Sequence, residues 1–352
     1  MKNFLKKGIV AFISVAAIAT GASAVSRHSV TDMAGRVVSV ADDPRHGMCL
    51  AGPSYEKALM LGQRERVAGI HASALTPWAK LVNPRLVEIP VVRNPQTPNL
   101  EELMNLQADF VLFWKLDDQM EKMARVGIPS IVVQFPGALP YDDCAGFIEY
   151  QKKEVLAIAQ AFGGSALERA DRWIRYFDDK IAYVTARTSK LAPSELPRVY
   201  YARSDQGLVT FSRNSYPQYL VEMAGGVYVS KDTPVEMNSK VTLEQIINWD
   251  PDVIFMGRMK SVDIIMENPA WSGIKAVKEK KVYLCPSGIK DWDYSSENVL
   301  LLLYLAKTLH PDLFQDLDME REVRDYFRIF YDFELSDENV RRVLTHRDPA
   351  AQ

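Results

Sequence analysis

The chain writes one helix-and-strand phrase twice. "PNLEELMNLQADFVLF", from Pro98, and "KVTLEQIINWDPDVIF", from Lys240, align without a gap when Leu100 is set against Leu243. Both copies run Leu-Glu, then Leu103 or Ile246, a shared Asn (Asn105, Asn248), a shared Asp (Asp109, Asp252) and an apolar burst. From Glu101 to Glu244 the offset is 143 residues, far beyond the ~20–50 residue period of solenoids and propellers. A repeat at that distance predicts two similar lobes, each carrying one copy.

The N-terminus stands outside that plan. Lys2, Lys6 and Lys7 precede the apolar run "IVAFISVAAIA", and small residues at Ala22 and Ala24 follow. A basic segment, a short apolar segment and an A-x-A site predict a cleavable signal peptide over residues 1–24. The run is shorter than the ~20 residues of a membrane span. No Cys follows the site, so the expected product is a soluble periplasmic protein and not a lipoprotein. A net charge of −3 argues against a nucleic-acid partner. Cys49, Cys144 and Cys285 allow one disulfide at most and form no C-x-x-C pair, so buried free thiols are expected.

In the mature chain, "VTDMAGRVVSV" predicts two short strands about a turn at Asp32–Gly35. The first half alternates helical patterns with the apolar runs "RVAGI", "LVEIPVV", "DFVLFW" and "IPSIVVQF"; the second does so with "RVYYAR", "GGVYV", "DVIFMG" and "KVYLCPSG". Short continuous apolar runs separated by helices predict buried parallel strands. Between the halves, Ser165 and Glu168 suggest a capping box after Gly163-Gly164. Leu167, Ala170, Ile174, Phe177, Ile181 and Val184 then form one apolar stripe, and Pro193 closes it. The expected organisation is an N-terminal α/β lobe over residues 25–164, a connecting helix over 165–192, and a C-terminal α/β lobe with C-terminal helices over 193–352.

With "EKALMLGQRERVAGI", "GIPSIVV", "NPAWSGIKAVKEKKVYLCPSG" and "LAKTLHPDLF" in that order around the two copies, the chain resembles the periplasmic substrate-binding proteins of ABC importers. The class is the one for iron-siderophores, haem and vitamin B12. The resemblance implies two Rossmann-like lobes bridged by a single long α-helix, with a ligand cleft between them. It implies a monomer that hands its ligand to an inner-membrane ABC permease, with no cofactor and no catalysis. One glutamate per lobe meets the permease in such proteins; the matching positions are Glu101 and Glu244. If Asn99 and Thr242 cap their helices, Glu102 and Gln245 take the capping-box position, which leaves Glu101 and Glu244 free.

Ligands of open α/β sheets sit beyond the carboxyl ends of the strands. Reading off those ends selects Tyr55, His71, Arg93, Trp114, Lys115, Tyr201, Arg203, Arg258, Ser287 and Trp292, with Arg213 in a nearby loop beside Tyr216. Five of these are cationic, and the nearest acidic groups (Asp117, Asp118, Asp205) each lie beyond a basic residue. An anionic ligand is therefore expected: a ferric siderophore first, then molybdate or another oxyanion, with haem, cobalamin and a nickel chelate also open. His71, Tyr55 and Tyr201 are the candidates for direct ligation of a metal. One enzyme-like pattern exists, Ser54-x-x-Lys57 with "RSDQ" at Ser204, but its K-T-G partner is absent, as are H-E-x-x-H, G-x-S-x-G and a Walker A loop. A serine or metal-dependent hydrolase is the remote alternative.

Overall fold

The computed structural model describes residues 26–350 except 138, 205 and 234–237. The expected signal peptide lies outside the described residues. The chain opens with an antiparallel hairpin, β1 (Arg27–Thr31) and β2 (Val37–Ala41), about the turn expected at Asp32–Gly35. Gly35 takes φ 73° there, a left-handed value that a side chain resists. The Asp32 carboxylate accepts from Ala34 N, Arg36 N and the Arg36 guanidinium, and also from Val132 N at 3.1 Å. One buried aspartate thus shapes the turn and ties the hairpin to the first sheet.

That sheet contains β3 (Gly47–Cys49), β4 (Val67–Ile70), β5 (Phe110–Trp114) and β6 (Ser130–Gln134), all parallel, in the order β4-β3-β5-β6. Helices α1 (Ser54–Met60), α2 (Pro77–Val82), α3 (Leu100–Asn105) and α4 (Asp117–Arg125) accompany it. The run "LVEIPVV" is no strand: Pro84 starts a 3-10 helix over Pro84–Glu88, and only Val91 bridges to Ile70. A proline cannot donate to a ladder, and its fixed φ suits the first turn of a helix.

Two long helices follow, α5 (Cys144–Phe162) and α6 (Ser165–Thr188), the second of 24 residues and therefore about 36 Å long. The expected Ser165–Glu168 capping box does not form. Gly164 is the N-cap, at φ 53°, and Ser165 already lies inside the helix, where its Oγ accepts from Gln63 Nε2 at 3.4 Å. The buried stripe runs through Ala166, Ala170, Trp173, Phe177, Ile181 and Val184, while Leu167 is 40 % exposed. Two glycines in left-handed conformation make the α5–α6 corner tight enough to start the helix early. α6 also ends at Thr188, short of Pro193, which opens a separate turn.

The second sheet holds β7 (Arg198–Ala202), β9 (Val227–Tyr228), β11 (Val253–Met256) and β12 (Val282–Leu284), again parallel; β8 (Val209–Thr210) and β10 (Ser239–Lys240) pair beside it. Its order is β12-β11-β7-β9. Counted from each lobe's own first strand, both sheets read second-first-third-fourth. The helices here are α7 (Tyr216–Met223), α8 (Leu243–Trp249), α9 (Asp263–Met266), α10 (Lys275–Lys278), α11 (Asn298–Leu309), α12 (Met319–Phe330) and α13 (Asp337–Leu344).

The sequence repeat falls on one topological position. α3 leads into β5 and α8 into β11, the third strand of each lobe. The shared aspartate has the same work in both. Asp109 Oδ2 accepts from Arg45 N and His46 N, just ahead of β3, and Asp252 Oδ2 accepts from Arg198 N at the start of β7. Each Asp therefore sets the register of the third strand against the first. The strands alternate faces as their period of two demands. Phe110 and Leu112 join a large core shared by both lobes, whereas Val111 and Phe113 face a smaller outer cluster.

Helix α6 is joined by two further crossings. After β12 the chain returns to the first lobe, where Thr76 Oγ1 donates to Ile289 O (2.8 Å), Lys290 Nζ to Ser73 O (3.1 Å) and Ser296 N to Glu56 Oε2 (3.1 Å). The C-terminal helices do the same: Tyr331 Oη donates to Glu56 Oε1 (2.7 Å), Arg64 to Tyr331 O (2.7 Å) and Trp78 Nε1 to Arg347 O (3.1 Å). Glu297 sits inside this junction, fully buried, accepting from Ile289 N and Lys290 N. Burial, with the charge of Glu56 next, pushes its carboxyl far above the ordinary carboxylate range. The folded protein therefore holds this proton more tightly than the unfolded chain, whose glutamates titrate near ~4.3. Stability should fall as pH rises from about that value through the raised one. Glu297→Gln should remove the fall and raise the urea midpoint at neutral pH; a difference from wild type that does not vary with pH would contradict this assignment.

Candidate ligand site between the lobes

A cleft of about 190 Å³ opens between the lobes. The first lobe supplies Trp114 at the end of β5, Gln134 and Phe135 at the end of β6, and Lys57 on α1; α5 adds Tyr150, Gln151 and Glu154. The second supplies Tyr216, the first residue of α7, and the segment Asp293, Tyr294 and Asn298. Gly52, at φ 45°, lets Tyr294 approach: a Cβ there would meet the Tyr294 Oη at 2.8 Å.

The charges of this cleft are paired inside the protein. Lys57 Nζ lies 3.4 Å from Glu154 Oε1, both side chains almost wholly buried, and Gln134 Nε2 donates to the same carboxylate at 2.7 Å. Burial raises the Glu154 carboxyl above its ordinary value although Lys57 opposes the shift. Behind the opposite wall, Arg258 Nε donates to Asp293 Oδ1 (2.8 Å) and Nη2 to Tyr216 Oη (2.9 Å), with its guanidinium 4.8 Å from the Tyr294 ring centre. Burial alone would lower Arg258; Asp293, Tyr216 and Asp291 together outweigh it and hold the guanidinium above its ordinary value. Arg258 adopts φ 58°, and Ser204 and Asn214 in adjacent loops are also left-handed. Such strain in non-glycine residues persists only where the surroundings enforce it, and it gathers at binding sites. Among the described residues, Tyr150 Oη and Asn298 Oδ1 on the cleft-lining side chains have no hydrogen-bond partner.

Two α/β lobes about an interlobe cleft, with a long helix behind, is an architecture the comparisons define further. A family model for periplasmic binding proteins matches residues 48–288. The chain belongs to the periplasmic binding protein family. Over 344 residues it is 26 % identical to the molybdate-binding protein MolA of Haemophilus influenzae, covering 91 % of this chain and 95 % of the relative. The vitamin B12-binding protein of Vibrio parahaemolyticus is 24 % identical over 174 residues, 49 % of this chain and 58 % of that one. Among solved structures, a periplasmic solute-binding protein of Veillonella parvula superposes with a TM-score of 0.77 at 25 % identity, covering 91 % of this chain and 97 % of that one. MolA bound to molybdate superposes at 0.79 with 24 % identity, covering 88 % and 99 %. Proteins of this family serve ABC transporters as solute binders, a role without catalysis. No helix among the described residues is long and apolar enough to cross a membrane.

In this binding protein the residues selected at strand ends scatter. Trp114 lines the cleft. Arg258 and Tyr201 stand behind the wall and hold Asp293, the latter through a 3.1 Å bond from its hydroxyl. Arg203 sits further back, Nη1 on Asn238 Oδ1 at 2.8 Å and its guanidinium over Phe211. Phe211 in turn packs edge-on against Tyr216. Arg93 is exposed, Lys115 pairs with Asp117, and Arg213 faces Asp232 at 3.6 Å. Ser287 has a backbone role, its N–H on Val343 O, and Trp292 is fully buried with an unpartnered Nε1. Tyr55 is buried against Asn83 (2.9 Å), and burial pushes its phenol up to about 12. His71 bonds Ser73 at 2.7 Å, held below its usual value by burial and then by Lys290. Among the described residues no group of three His, Cys, Asp or Glu is placed to hold a metal.

The expectation of a cleft free of acids needs correction. Glu154 lines it from mid-helix, and Asp291 and Asp293 reach Arg258 from the loop after β12. None of these three follows a strand end directly. The cysteines are free, Cys49 and Cys285 buried and Cys144 half-buried. Lys57 of the Ser54-x-x-Lys57 pattern is committed to Glu154. Removing one partner of a buried pair strands the other, at a cost of about 3–5 kcal/mol. Arg258→Met should therefore lose roughly that much in urea unfolding, and Arg258→Met with Asp293→Asn should recover most of it. If the double variant is no more stable than the single one, the pairing carries no such weight.

Proposed function

We propose that this protein captures a compact metal oxyanion of the molybdate kind and passes it to an ABC permease. The observation that carries the reading is the size and donor chemistry of the cleft. Its 190 Å³ falls below the ~300–1,000 Å³ of sites for drug-sized organic ligands, which ranks a ferric siderophore behind a smaller species. Tyr150 Oη is a buried hydroxyl with no partner among the described residues, and an oxyanion would accept from it. Whole-length similarity to a molybdate-binding relative supports the same choice. A second reading, a small ferric chelate of citrate size, is favoured by the aromatic faces of Trp114, Phe135, Tyr216 and Tyr294 on the cleft wall.

Tryptophan fluorescence titration with molybdate, tungstate, sulfate, ferric citrate and cyanocobalamin separates these. Molybdate and tungstate should bind. Tyr150→Phe should weaken them about tenfold, ~1.4 kcal/mol or one hydrogen bond to a charged group, without loss of stability. Glu154→Gln removes the negative charge beside Lys57 and should tighten them at neutral pH. Tight binding of ferric citrate or cobalamin with none of either oxyanion would overturn the proposal.

Delivery to the permease is assigned to Glu101 and Glu244. Both lie in the first turn of their helices and are exposed. Neither is needed for capping: Asn99 Oδ1 accepts from the N–H groups of α3, and Thr242 with Gln245 closes a complete capping box on α8. Glu101→Ala and Glu244→Ala should leave ligand affinity unchanged and impair uptake in cells. A tenfold loss of affinity in purified protein would place either residue in the cleft instead.

A further inference from the structure

Lys57 and Glu154 cancel each other in the empty cleft, and an incoming anion needs that positive charge back. Around the cleft Lys57, Arg258 and Lys290 stand against Glu154, Asp291 and Asp293. With all six ionised the set carries no net positive charge. Bringing a dianion into such surroundings is expensive unless a like charge is removed. One proton on one carboxylate would remove it, and Glu154 alone of the three is placed to accept that proton. Asp293 spends both oxygens, Oδ1 on Arg258 at 2.8 Å and Oδ2 on Tyr201 at 3.1 Å. The Asp291 side chain is 28 % exposed and does not line the cleft. Glu154 lines it, almost wholly buried, and its contacts with Lys57 (3.4 Å) and Gln134 (2.7 Å) both fall on Oε1. Among the described residues no hydrogen bond reaches Oε2, so that oxygen is left for the proton.

The groups facing Glu154 come from four elements. α1 presents Lys57 and Glu56, β6 presents Gln134, α5 itself presents Tyr150, and the segment after β12 presents Asp293 and Tyr294. Burial, the largest influence, and Glu56 favour the protonated acid; Lys57 and the Gln134 bond oppose it, and the net shift is upward. Burial also keeps the phenols of Tyr150 and Tyr294 neutral at ordinary pH. Tyr150 stands one turn before Glu154 on the same face of α5, with its hydroxyl unpartnered among the described residues. We propose that oxyanion capture is proton-coupled: as the anion enters, Glu154 takes one proton from solvent on Oε2. The filled cleft then holds the anion between the Lys57 ammonium, the Tyr150 hydroxyl and the new Glu154 O–H. This coupling rests on the oxyanion reading of the cleft and adds the residue that regulates it. A proton bound only in the filled state makes affinity rise as pH falls, by up to about tenfold per unit, until the empty cleft is itself protonated.

Titration calorimetry of the ligand-free mature protein with molybdate, in buffers of low and high ionisation enthalpy, counts the protons taken up. At about pH 8 the count should approach one per molybdate, and the dissociation constant should climb by up to about tenfold per unit above neutrality. Glu154→Gln fixes the neutral state and should bind molybdate with no proton uptake and a flat pH profile. Tyr150→Phe should bind more weakly and keep the wild-type proton count. Molybdate binding by wild type without proton uptake would overturn the coupling and leave the oxyanion reading standing. Uptake that persists in Glu154→Gln would place the proton elsewhere and overturn the role of Glu154. Should that variant fail to fold, the infrared difference spectrum of wild type with and without molybdate reads the same event. A new carboxylic C=O band is expected there, and its absence would overturn the proposal. Binding of ferric citrate with neither molybdate nor tungstate would remove the reading and the coupling together.

Discussion

The buried carboxylate of Glu56 holds the molecule together in a way no apolar contact does. It starts on α1 of the first lobe and accepts from Ser296, on the segment returning from the second, and from Tyr331, beyond α12. A buried carboxyl group must be hydrogen-bonded or it costs a few kcal/mol. Opening the lobes far enough to part these groups would break all of these bonds together. The long helix α6 leans on the same junction, because Trp173 Nε1 donates to Tyr326 Oη, which also meets Ser296. Large hinge motion is therefore opposed by the loss of these hydrogen bonds and of the packing around them as well as by helix stiffness. Ligand capture has to work through a cleft that is largely formed beforehand, which reduces the ordering cost of binding.

That constraint bears on the electrostatics of the cleft. A rigid site must be stable while empty, and an unpaired buried cation costs more than a single neutral hydrogen bond returns, about 1 kcal/mol. Lys57 and Arg258 accordingly carry their own counter-charges, Glu154 and Asp293. What remains for a ligand is a set of hydrogen-bonding groups and aromatic faces fixed by those pairs. Charge enters recognition indirectly: burial favours protonation of Glu154, and a proton there would leave the Lys57 charge facing the cleft.

Much of the fold is legible in the sequence because the responsible signals are local. The hairpin turn at Asp32–Gly35, the strand runs and the third-strand repeat each depend on neighbours in the chain. Two misreadings have local causes as well: Pro84 turns "LVEIPVV" into a 3-10 helix, and Gly163-Gly164 shifts the start of α6. The strand β3 escaped for a different reason. It has three residues, too few for any period, yet it is central to the first sheet because Phe110, Val111 and Leu112 supply its ladder. The site was harder. Strand-end logic finds Trp114, and it finds Arg258 as a supporting residue. Glu154 lies within α5 and Asp293 in a loop between β12 and α11, so only the tertiary packing brings them to the cleft. Five basic residues at strand ends or in nearby loops suggested a cationic basin, and three of them are spent on solvent or on neighbouring aspartates.

The two copies of the repeat also show where likeness is required and where it is excluded. Along α3 and α8 they agree in the buried anchor, the exposed apolar residue, the glutamate and the aspartate that registers the next strand. They part at the carboxyl end of the strand, where Trp114 closes β5 and Gly257 follows β11. Trp114 lines the cleft, whereas a Cβ at Gly257 would collide with the ring of Tyr201. One residue further, Lys115 pairs with its neighbour Asp117 while Arg258 reaches across to Asp293. A ligand lodged between the lobes meets a different wall on each side, so nothing keeps the strand-end turns alike. The two copies therefore agree along the outer helices and diverge where their strands reach the cleft.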